Sequence, residues 1–118
     1  MPFRAILKDL VDAVPHAVGA ILVDWEGEAV QEYCHCTPYD IRFVAAHQGV
    51  VLARLRDSHR RNLGGSIEEV CMSSEHQHLL IRVIDPDYSL VVQLQRPASL
   101  ASARYHAVRA IERIREVL

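Results

Sequence analysis

The sequence predicts an α+β domain of three layers, an α/β/α arrangement in which an antiparallel sheet of five strands lies between two helices on one face and one helix on the other. Three observations support this prediction. Hydrophobic periodicity gives the element order α-β-β-α-β-β-β-α. Three of the five strands carry apolar residues on both faces, which is typical of a sheet covered on both sides. The central helix, residues 40–63, carries apolar residues on two opposite faces.

Length and composition indicate one folded domain that spans residues 1–118. Half of the residues are hydrophobic and 24% are charged, which is ordinary globular composition. The net charge of −2 provides no positive field for nucleic acid. No apolar run approaches the roughly 20 residues that span a bilayer, and the N-terminal segment lacks the cleavage site of a signal peptide. We therefore expect a cytoplasmic protein whose partners are proteins.

The first three elements follow from periodicity and turn signals. The first helix ends at Pro15, and its apolar residues recur at helical spacing: Phe3, Ile6, Leu7, Leu10, Val11 and Val14. Strands one and two are predicted at residues 19–25 and 28–36, because the Glu-Gly pair between them is typical of a tight turn. These two strands therefore form a hairpin.

Clear signals mark both ends of the central helix. Thr37 suits the N-cap, Pro38 suits the first helical position, and Asp40 follows the cap by three residues, as in a capping box. Arginines crowd the final turns, where the helix dipole favours cations, and two glycines follow Leu63. The helix therefore ends near Leu63.

The central helix carries one apolar stripe more than a single small domain needs. At about 100° per residue, the stripe assigned to the sheet contains Ile41, Val44, Val51, Leu52 and Leu55. The opposite stripe contains Phe43, Ala46, Val50 and Ala53. Since a surface helix buries one stripe and leaves the other to water, the second stripe predicts contact with another chain. The small alanines in it would allow close approach.

Three further strands and a last helix complete the chain. The strands are predicted at residues 66–74, 76–84 and 88–95, in meander order. Strands two and three are the more polar ones, so we place them at the sheet edges. Ser99 suits an N-cap, and the apolar positions of the last helix follow it: Leu100, Ala103, Ala107, Val108, Ile111, Ile114 and Leu118.

A metal site is the sharpest chemical alternative, and it would use Cys34, His35, Cys36, His76 and His78. In a strand the two cysteines point to one face and His35 to the other, so these three cannot enclose one metal. The usual C-x₂-C spacing is also missing. We therefore expect no metal or other cofactor, and we interpret the cysteines as small core side chains.

Two other kinds of chemistry have little support. Cys71 or Cys34 could pair with a histidine in space as a nucleophile, but no helix N-terminus or fixed basic neighbour is evident to lower a thiol pKa. The Gly64-Gly65 pair follows a helix and lacks the Lys-Ser/Thr sequel of a phosphate loop. We therefore expect no catalytic residue and no bound nucleotide.

The basic run at residues 54–61 has two possible roles. Its arginines complement the helix C-terminus and solvate the surface. Alternatively, Arg56, Arg60 and Arg61 form a docking patch for an acidic or phosphate-bearing partner surface, with an arginine finger as one version.

The whole chain resembles the roadblock/dynein light chain domain, and most closely its bacterial, Mgl-type members. The resemblance lies in the first helix, the capped central helix and three further segments in the correct order: residues 18–30, 79–97 and 100–114. It implies the strand order 2-1-5-4-3 in a profilin-like architecture, with helices one and three on one face. It also implies a dimer in which third strands pair into a ten-stranded sheet and the central helices pack across the dyad.

The residues expected at this dimer interface lie on the central helix and strand three: Phe43, Ala46, His47, Val50, Ala53, Arg54, Asp57, Val70 and Met72. On the helical wheel, Arg54 and Asp57 lie near the second stripe, so two antiparallel copies could form reciprocal ion pairs. Such exposed pairs fix register more than they stabilise, since each contributes only about 0–1 kcal/mol. Pairing also hides the exposed edge of strand three.

The resemblance implies a function without a small-molecule substrate. Family members regulate or scaffold small Ras-like GTPases, and the bacterial ones act as GTPase-activating partners. We therefore expect a homodimeric GTPase regulator that is not itself an enzyme. The alternative is a structural adaptor that joins other proteins and leaves nucleotide turnover unchanged.

Overall fold

The computed structural model describes residues 2–36, 40, 51–58 and 65–118. Residues 51–58 are helical and belong to the central helix, labelled α2 here. The other elements are α1 (Pro2–Ala13), β1 (Ala17–Asp24), β2 (Ala29–Cys34), β3 (Glu69–Ser73), β4 (Gln77–Val83), β5 (Tyr88–Gln95) and α3 (Leu100–Val117). The predicted cap residues Thr37 and Pro38 of the central helix lie outside the described residues.

The five strands form one antiparallel sheet in the order β2-β1-β5-β4-β3. This order confirms the one that the resemblance implies, and it confirms the placement of strands two and three at the edges. β5 lies at the centre between β1 and β4, and β1 and β5 are buried along most of their lengths.

One face of the sheet is covered by α1 and α3. The largest side chains of this first core include Leu7, Leu22, Leu90 and Ile114, each 0% exposed. Ala103 and Ala107 are equally buried on α3, where small side chains let the helix approach its neighbours closely. The predicted N-cap of α3 is confirmed, because Ser99 Oγ accepts a hydrogen bond of 3.1 Å from the backbone N–H of Ser102.

The opposite face carries a second core, to which α2 contributes Leu52. The other buried members come from the central strands: Ile21, Val23, Leu79, Ile81 and Val91. Leu52 is 6% exposed, as the first apolar stripe predicts, but Leu55 of the same stripe is 41% exposed. The assignment of Leu55 to the core was therefore wrong. Leu55 lies about 60° around the helix from Leu52, and the contact with the sheet is narrower than the stripe.

Two aspartates bind the backbone of two hairpin turns, one between β1 and β2 and one between β4 and β5. Asp24 Oδ1 accepts hydrogen bonds from the backbone N–H groups of Glu26 and Glu28, and Gly27 takes a φ of 85°, a conformation that favours glycine. Asp85 Oδ1 accepts in the same way from Asp87 and Tyr88, at 2.8 and 2.9 Å. Each Asp accepts hydrogen bonds only from backbone groups a few residues further along the chain. The turns are therefore determined by the local sequence.

β1, β2, β3 and β4 differ in their bounds from the predicted ranges, and only β5 matches its prediction. β3 spans only Glu69–Ser73 rather than residues 66–74, because its partner β4 ends at Val83 and the chain then turns towards β5. β4 begins at Gln77, so His76 precedes the strand and does not share a strand face with His78. Among the described helices, none is long and apolar enough to cross a membrane.

Candidate functional site

The outer edge of β3, together with the neighbouring α2, forms the candidate site. Within the described part of the chain, β3 pairs only with β4, from Glu69 opposite Arg82 to Ser73 opposite His78. Its other edge carries backbone groups that are available to a further strand.

Alternation along β3 identifies those backbone groups. Val83 N–H donates to the carbonyl of Glu68, and Ser74 N–H donates to that of Gln77, so the even-numbered residues face β4. In an antiparallel ladder the residues between them point their N–H and C=O groups away from the partner. The outward groups therefore belong to Glu69, Cys71 and Ser73. No hydrogen bond to the backbone of these three is found among the described residues.

At the opposite edge of the sheet, side chains bind the outward backbone groups of one β2 residue, Glu32. The Arg4 guanidinium donates to the carbonyl oxygen of Glu32 at 3.0 Å, and the backbone N–H of Glu32 donates to Gln31 Oε1 at 3.1 Å. Arg4 also lies over the ring of Tyr33, 5.3 Å from its centroid. These contacts occupy the outward backbone groups of Glu32, so β3 is the edge more open to another strand.

Side chains of β3 join both cores. Val70 and Met72 are half-buried and pack against the second core, on the α2 face. Cys71 packs against the first core on the opposite face. Apolar side chains beside an open backbone edge are what a strand added there would cover.

A carboxylate between two arginines fixes the start of β3. Glu69 Oε1 lies 3.1 Å from Arg82 Nη1 on β4, and its Oε2 lies 2.9 Å from Arg104 Nε on α3. The Glu69 side chain is 23% exposed, so the three charges are partly shielded from water. The sequence prediction missed this cluster. The pairing of Glu69 with Arg82 could have been predicted from the strand register. No local sequence signal in α3 indicates that Arg104 contacts Glu69.

The described residues of α2 show two different surfaces. Ala53, Arg54 and Asp57, predicted for the dimer interface, are exposed in the single chain, whereas Val51 is half-buried. The other predicted interface and docking residues of the central helix lie outside the described residues: Phe43, Ala46, His47, Val50, Arg60 and Arg61.

Arg56, from the predicted docking patch, is half-buried and lines a cavity of about 380 Å³ between α2, the approach to β3 and the turn after β4. The cavity wall also contains Glu68, Asp85 and Arg115. Arg115 Nη2 donates to the carbonyl of Ile84 at 2.8 Å. Two cations and two carboxylates thus line the wall, which therefore carries both positive and negative charge.

The cysteines are divided between the two faces of the sheet. Cys34 and Cys36 pack against the second core and Cys71 against the first. Cys34 Sγ donates to the carbonyl of Cys36 at 2.9 Å. Burial, together with the hydrogen bond from Cys34, raises the pKa of Cys36 to about 12. A raised pKa disfavours the thiolate, which is the reactive form of a cysteine.

His78 and His76 have different surroundings. His78 is 6% exposed, and its two ring nitrogens lie 2.7 Å from Ser73 Oγ and 3.2 Å from the carbonyl oxygen of Arg96. His76 is exposed. In the described ranges, no three His, Cys, Asp or Glu side chains come close enough together to hold a metal ion.

Known structures share this fold. A roadblock/LC7 domain from Streptomyces avermitilis superposes with a TM-score of 0.88 at 21% identity, over 96% of this chain and 94% of that chain. Myxococcus xanthus MglB gives a TM-score of 0.88 at 17% identity, over 100% and 98%. An MglB with a tetrameric arrangement gives 0.82 at 18% identity, over 92% and 81%. The chain therefore has the roadblock/LC7 fold, which confirms the resemblance found in the sequence at the level of fold.

No model of a protein family matches the chain, and no curated protein matches it.

Proposed function

We propose that residues 1–118 act as one roadblock domain, a homodimeric regulator of a small Ras-like GTPase in the cytoplasm. The protein works through protein-protein contacts, as an activator or a scaffold, and is not itself an enzyme. The fold shared with MglB supports this proposal, as does the whole-chain sequence resemblance.

The observation that carries the proposal is the asymmetry between the two sheet edges. At β2 the backbone of Glu32 is occupied by Arg4 and Gln31. At β3 the outward groups are open within the described residues. A second copy that pairs at β3 would bring its own α2 beside the first, and the exposed residues Ala53 and Arg54 would then meet their symmetry mates.

The GTPase is expected to bind near the basic end of α2. Arg56 is half-buried there, and no hydrogen bond or ion pair to its guanidinium is found among the described residues. A guanidinium at a partner surface binds carboxylates and phosphates through two parallel hydrogen bonds. The sequence predicts Arg60 and Arg61 for the same patch, and both lie outside the described residues.

The test uses the small Ras-like GTPase encoded nearest to the gene of this chain, loaded with GTP. Binding is measured by calorimetry, and single-turnover hydrolysis is measured with and without the chain. A tight complex with faster hydrolysis supports an activator. Binding without a change in the rate of GTP hydrolysis supports the alternative function, a structural adaptor. No binding at micromolar concentrations contradicts the proposed partner.

Two variants locate the contact. Arg56→Ala should weaken binding about ten- to hundredfold, since a charged hydrogen bond contributes roughly 1.5–3 kcal/mol. The matched control is Arg109→Ala on α3, where Arg109 lies over the ring of Tyr105 and away from α2. Equal effects of the two changes would contradict docking at α2. Sedimentation of the chain alone at micromolar concentration tests the dimer, which a clean monomer would contradict.

A further inference from the structure

Two cysteines at the end of β2 form a pair that the proposed function does not use. Cys34 is the last residue of β2, and the chain bends at His35 and Cys36 directly after it. We propose that Cys34 and Cys36 are a dithiol site that reacts with a low-molecular-weight disulfide, such as oxidised glutathione, and closes reversibly to a disulfide within the chain. This inference is independent of the proposed dimer and of its GTPase partner.

The fold places the two side chains close together. Cys34 Sγ donates to the carbonyl oxygen of Cys36 at 2.9 Å, and both side chains pack against the second core, on one face of the sheet. The Cα atoms of residues two apart are separated by at most about 7 Å, and a bend in the chain shortens this distance. Disulfides join Cα atoms that are about 4.4–6.8 Å apart, so the bridge can close without a large movement of the backbone.

The surroundings of Cys36 give the two sulfurs different roles. Burial, the hydrogen bond and charge of the Cys34 side chain, and the charge of Asp40 raise the pKa of Cys36 to about 12. Cys36 therefore keeps its proton, and Cys34 is the sulfur that attacks the oxidant. A Cys34 sulfur that is bonded to the oxidant cannot ionise, so its charge and its thiol hydrogen bond no longer oppose ionisation of Cys36. Cys36 then becomes the second nucleophile.

The reaction with oxidised glutathione has two exchange steps. The Cys34 thiolate attacks one sulfur of the oxidant, so a bond between Cys34 and glutathione forms, the S–S bond of the oxidant breaks, and one glutathione thiolate leaves. The Cys36 thiolate then attacks the Cys34 sulfur, which joins the two cysteines and releases the second glutathione. The cysteines give up two electrons to the oxidant, and their two protons pass through solvent to the two glutathione thiolates.

A disulfide over so short a loop should be easily reduced again. A bridge across a single intervening residue departs from unstrained disulfide geometry, and strained disulfides are the labile, regulatory or catalytic ones. The site also lies near the start of the predicted central helix, because Asp40, which is helical, is close enough for its charge to act on Cys36. Oxidation therefore acts on the face of the sheet where Leu52 packs.

Mass spectrometry of the unmodified chain tests the proposal. The folded chain is equilibrated with oxidised glutathione, unfolded in acid, blocked at its remaining thiols with N-ethylmaleimide and cut with trypsin. Cleavage after Arg and Lys leaves Cys34 and Cys36 in one peptide, residues 9–42, and Cys71 in another, residues 62–82. We expect the first peptide to lose two hydrogens and to hold no glutathione, so that one of the three thiols stays free. Dithiothreitol should restore all three.

Single substitutions test the order of the two steps. Cys36→Ser removes the second nucleophile, so Cys34 should retain one bound glutathione. Cys34→Ser removes the attacking sulfur, so peptide 9–42 should hold neither a disulfide nor glutathione. Cys71→Ser is the matched control, because Cys71 packs against the first core on the opposite face of the sheet. This control should form the same disulfide to the same extent as the unmodified chain.

The measurement on the unmodified chain can overturn the inference without any variant. Peptide 9–42 could stay fully reduced in excess oxidised glutathione, or it could keep glutathione and form no internal bridge. Either result contradicts a dithiol site, as does a bridge that joins Cys34 or Cys36 to Cys71 or to a second chain. Stable glutathione on Cys36 in the Cys34→Ser variant would contradict the assigned order of attack.

Discussion

His78 Nδ1 lies 2.7 Å from Ser73 Oγ, and the other ring nitrogen of His78 lies 3.2 Å from the carbonyl oxygen of Arg96. A carbonyl only accepts, so Nε2 carries a hydrogen, and in the neutral ring Nδ1 accepts from the serine hydroxyl. This buried ring therefore ties the end of β3 to the start of β4 and to the chain leading into α3.

Replacing His78 by Phe should keep the ring volume and remove both hydrogen bonds. The carbonyl of Arg96 then loses a buried donor, and the free energy of unfolding should fall by about 1–3 kcal/mol. Urea denaturation at a fixed protein concentration measures the change. His76→Phe is the matched control, because His76 is exposed two residues away. Equal losses for the two variants would contradict the role assigned to His78.

The carboxylate of Glu69 should contribute more to stability than that of its neighbour Glu68. Glu69→Gln removes the charge between Arg82 and Arg104, and because the cluster is partly exposed we expect a loss of about 0.5–1.5 kcal/mol. Glu68→Gln alters an exposed side chain and should change stability by less than about 0.5 kcal/mol. High salt should shrink the Glu69 effect, since screening weakens partly exposed ion pairs. A loss that does not respond to salt would argue against an electrostatic cause.

Leu52 and Leu55 should respond differently to truncation, although the helical pattern assigns both to the same stripe. Leu52→Ala opens a cavity in the second core and should cost about 2–4 kcal/mol. Leu55 is 41% exposed, so Leu55→Ala should cost less than about 1 kcal/mol. Thermal unfolding followed by circular dichroism compares the two. Similar melting temperatures would show that α2 contacts the sheet through a wider face than the structure shows.

Alkylation by iodoacetamide should be slow at Cys36. Its pKa of about 12 leaves little thiolate at pH 8, and the thiolate is the reacting species. The greater nucleophilicity of a high-pKa thiolate offsets part of this effect, so a rate at least about tenfold below that of the unfolded chain is expected. Peptide mass spectrometry locates the label. Labelling of Cys36 at equal rates in the folded and unfolded chains would contradict the raised pKa.

The same pKa predicts a pH dependence of stability. The folded-state pKa of Cys36 lies above the ordinary value of 9.0, so the folded state holds this proton more tightly than the unfolded state. The contribution of Cys36 is therefore fully present below pH 9 and is lost as the pH rises from 9 towards 12. The chain should lose stability over this range faster than Cys36→Ser, as measured by urea denaturation at each pH. Parallel pH profiles would count against the assignment.

The sequence by itself predicted the order and approximate positions of the helices and strands outside the central helix, the hairpin turns and the N-cap of α3, because these depend on interactions within a few residues. Asp24 and Asp85 bond to backbone groups only two to four residues away. Strand order was correct as well, but it came from a resemblance over the whole chain. The polar pattern of a strand indicates that it lies at an edge of the sheet. It does not give the order of the five strands.

Only the tertiary structure decided which side chains meet across the sheet and which edge stays open. Arg4 reaches the carbonyl of Glu32 across 28 positions of sequence, and Arg104 reaches Glu69 across 35. Leu52 and Leu55 lie in one stripe by periodicity, yet they differ in burial. The local sequence pattern shows which face of a helix or strand is apolar. The width of the contact between a helix and the sheet, and the covering of the backbone groups at a sheet edge, depend on how distant elements pack together.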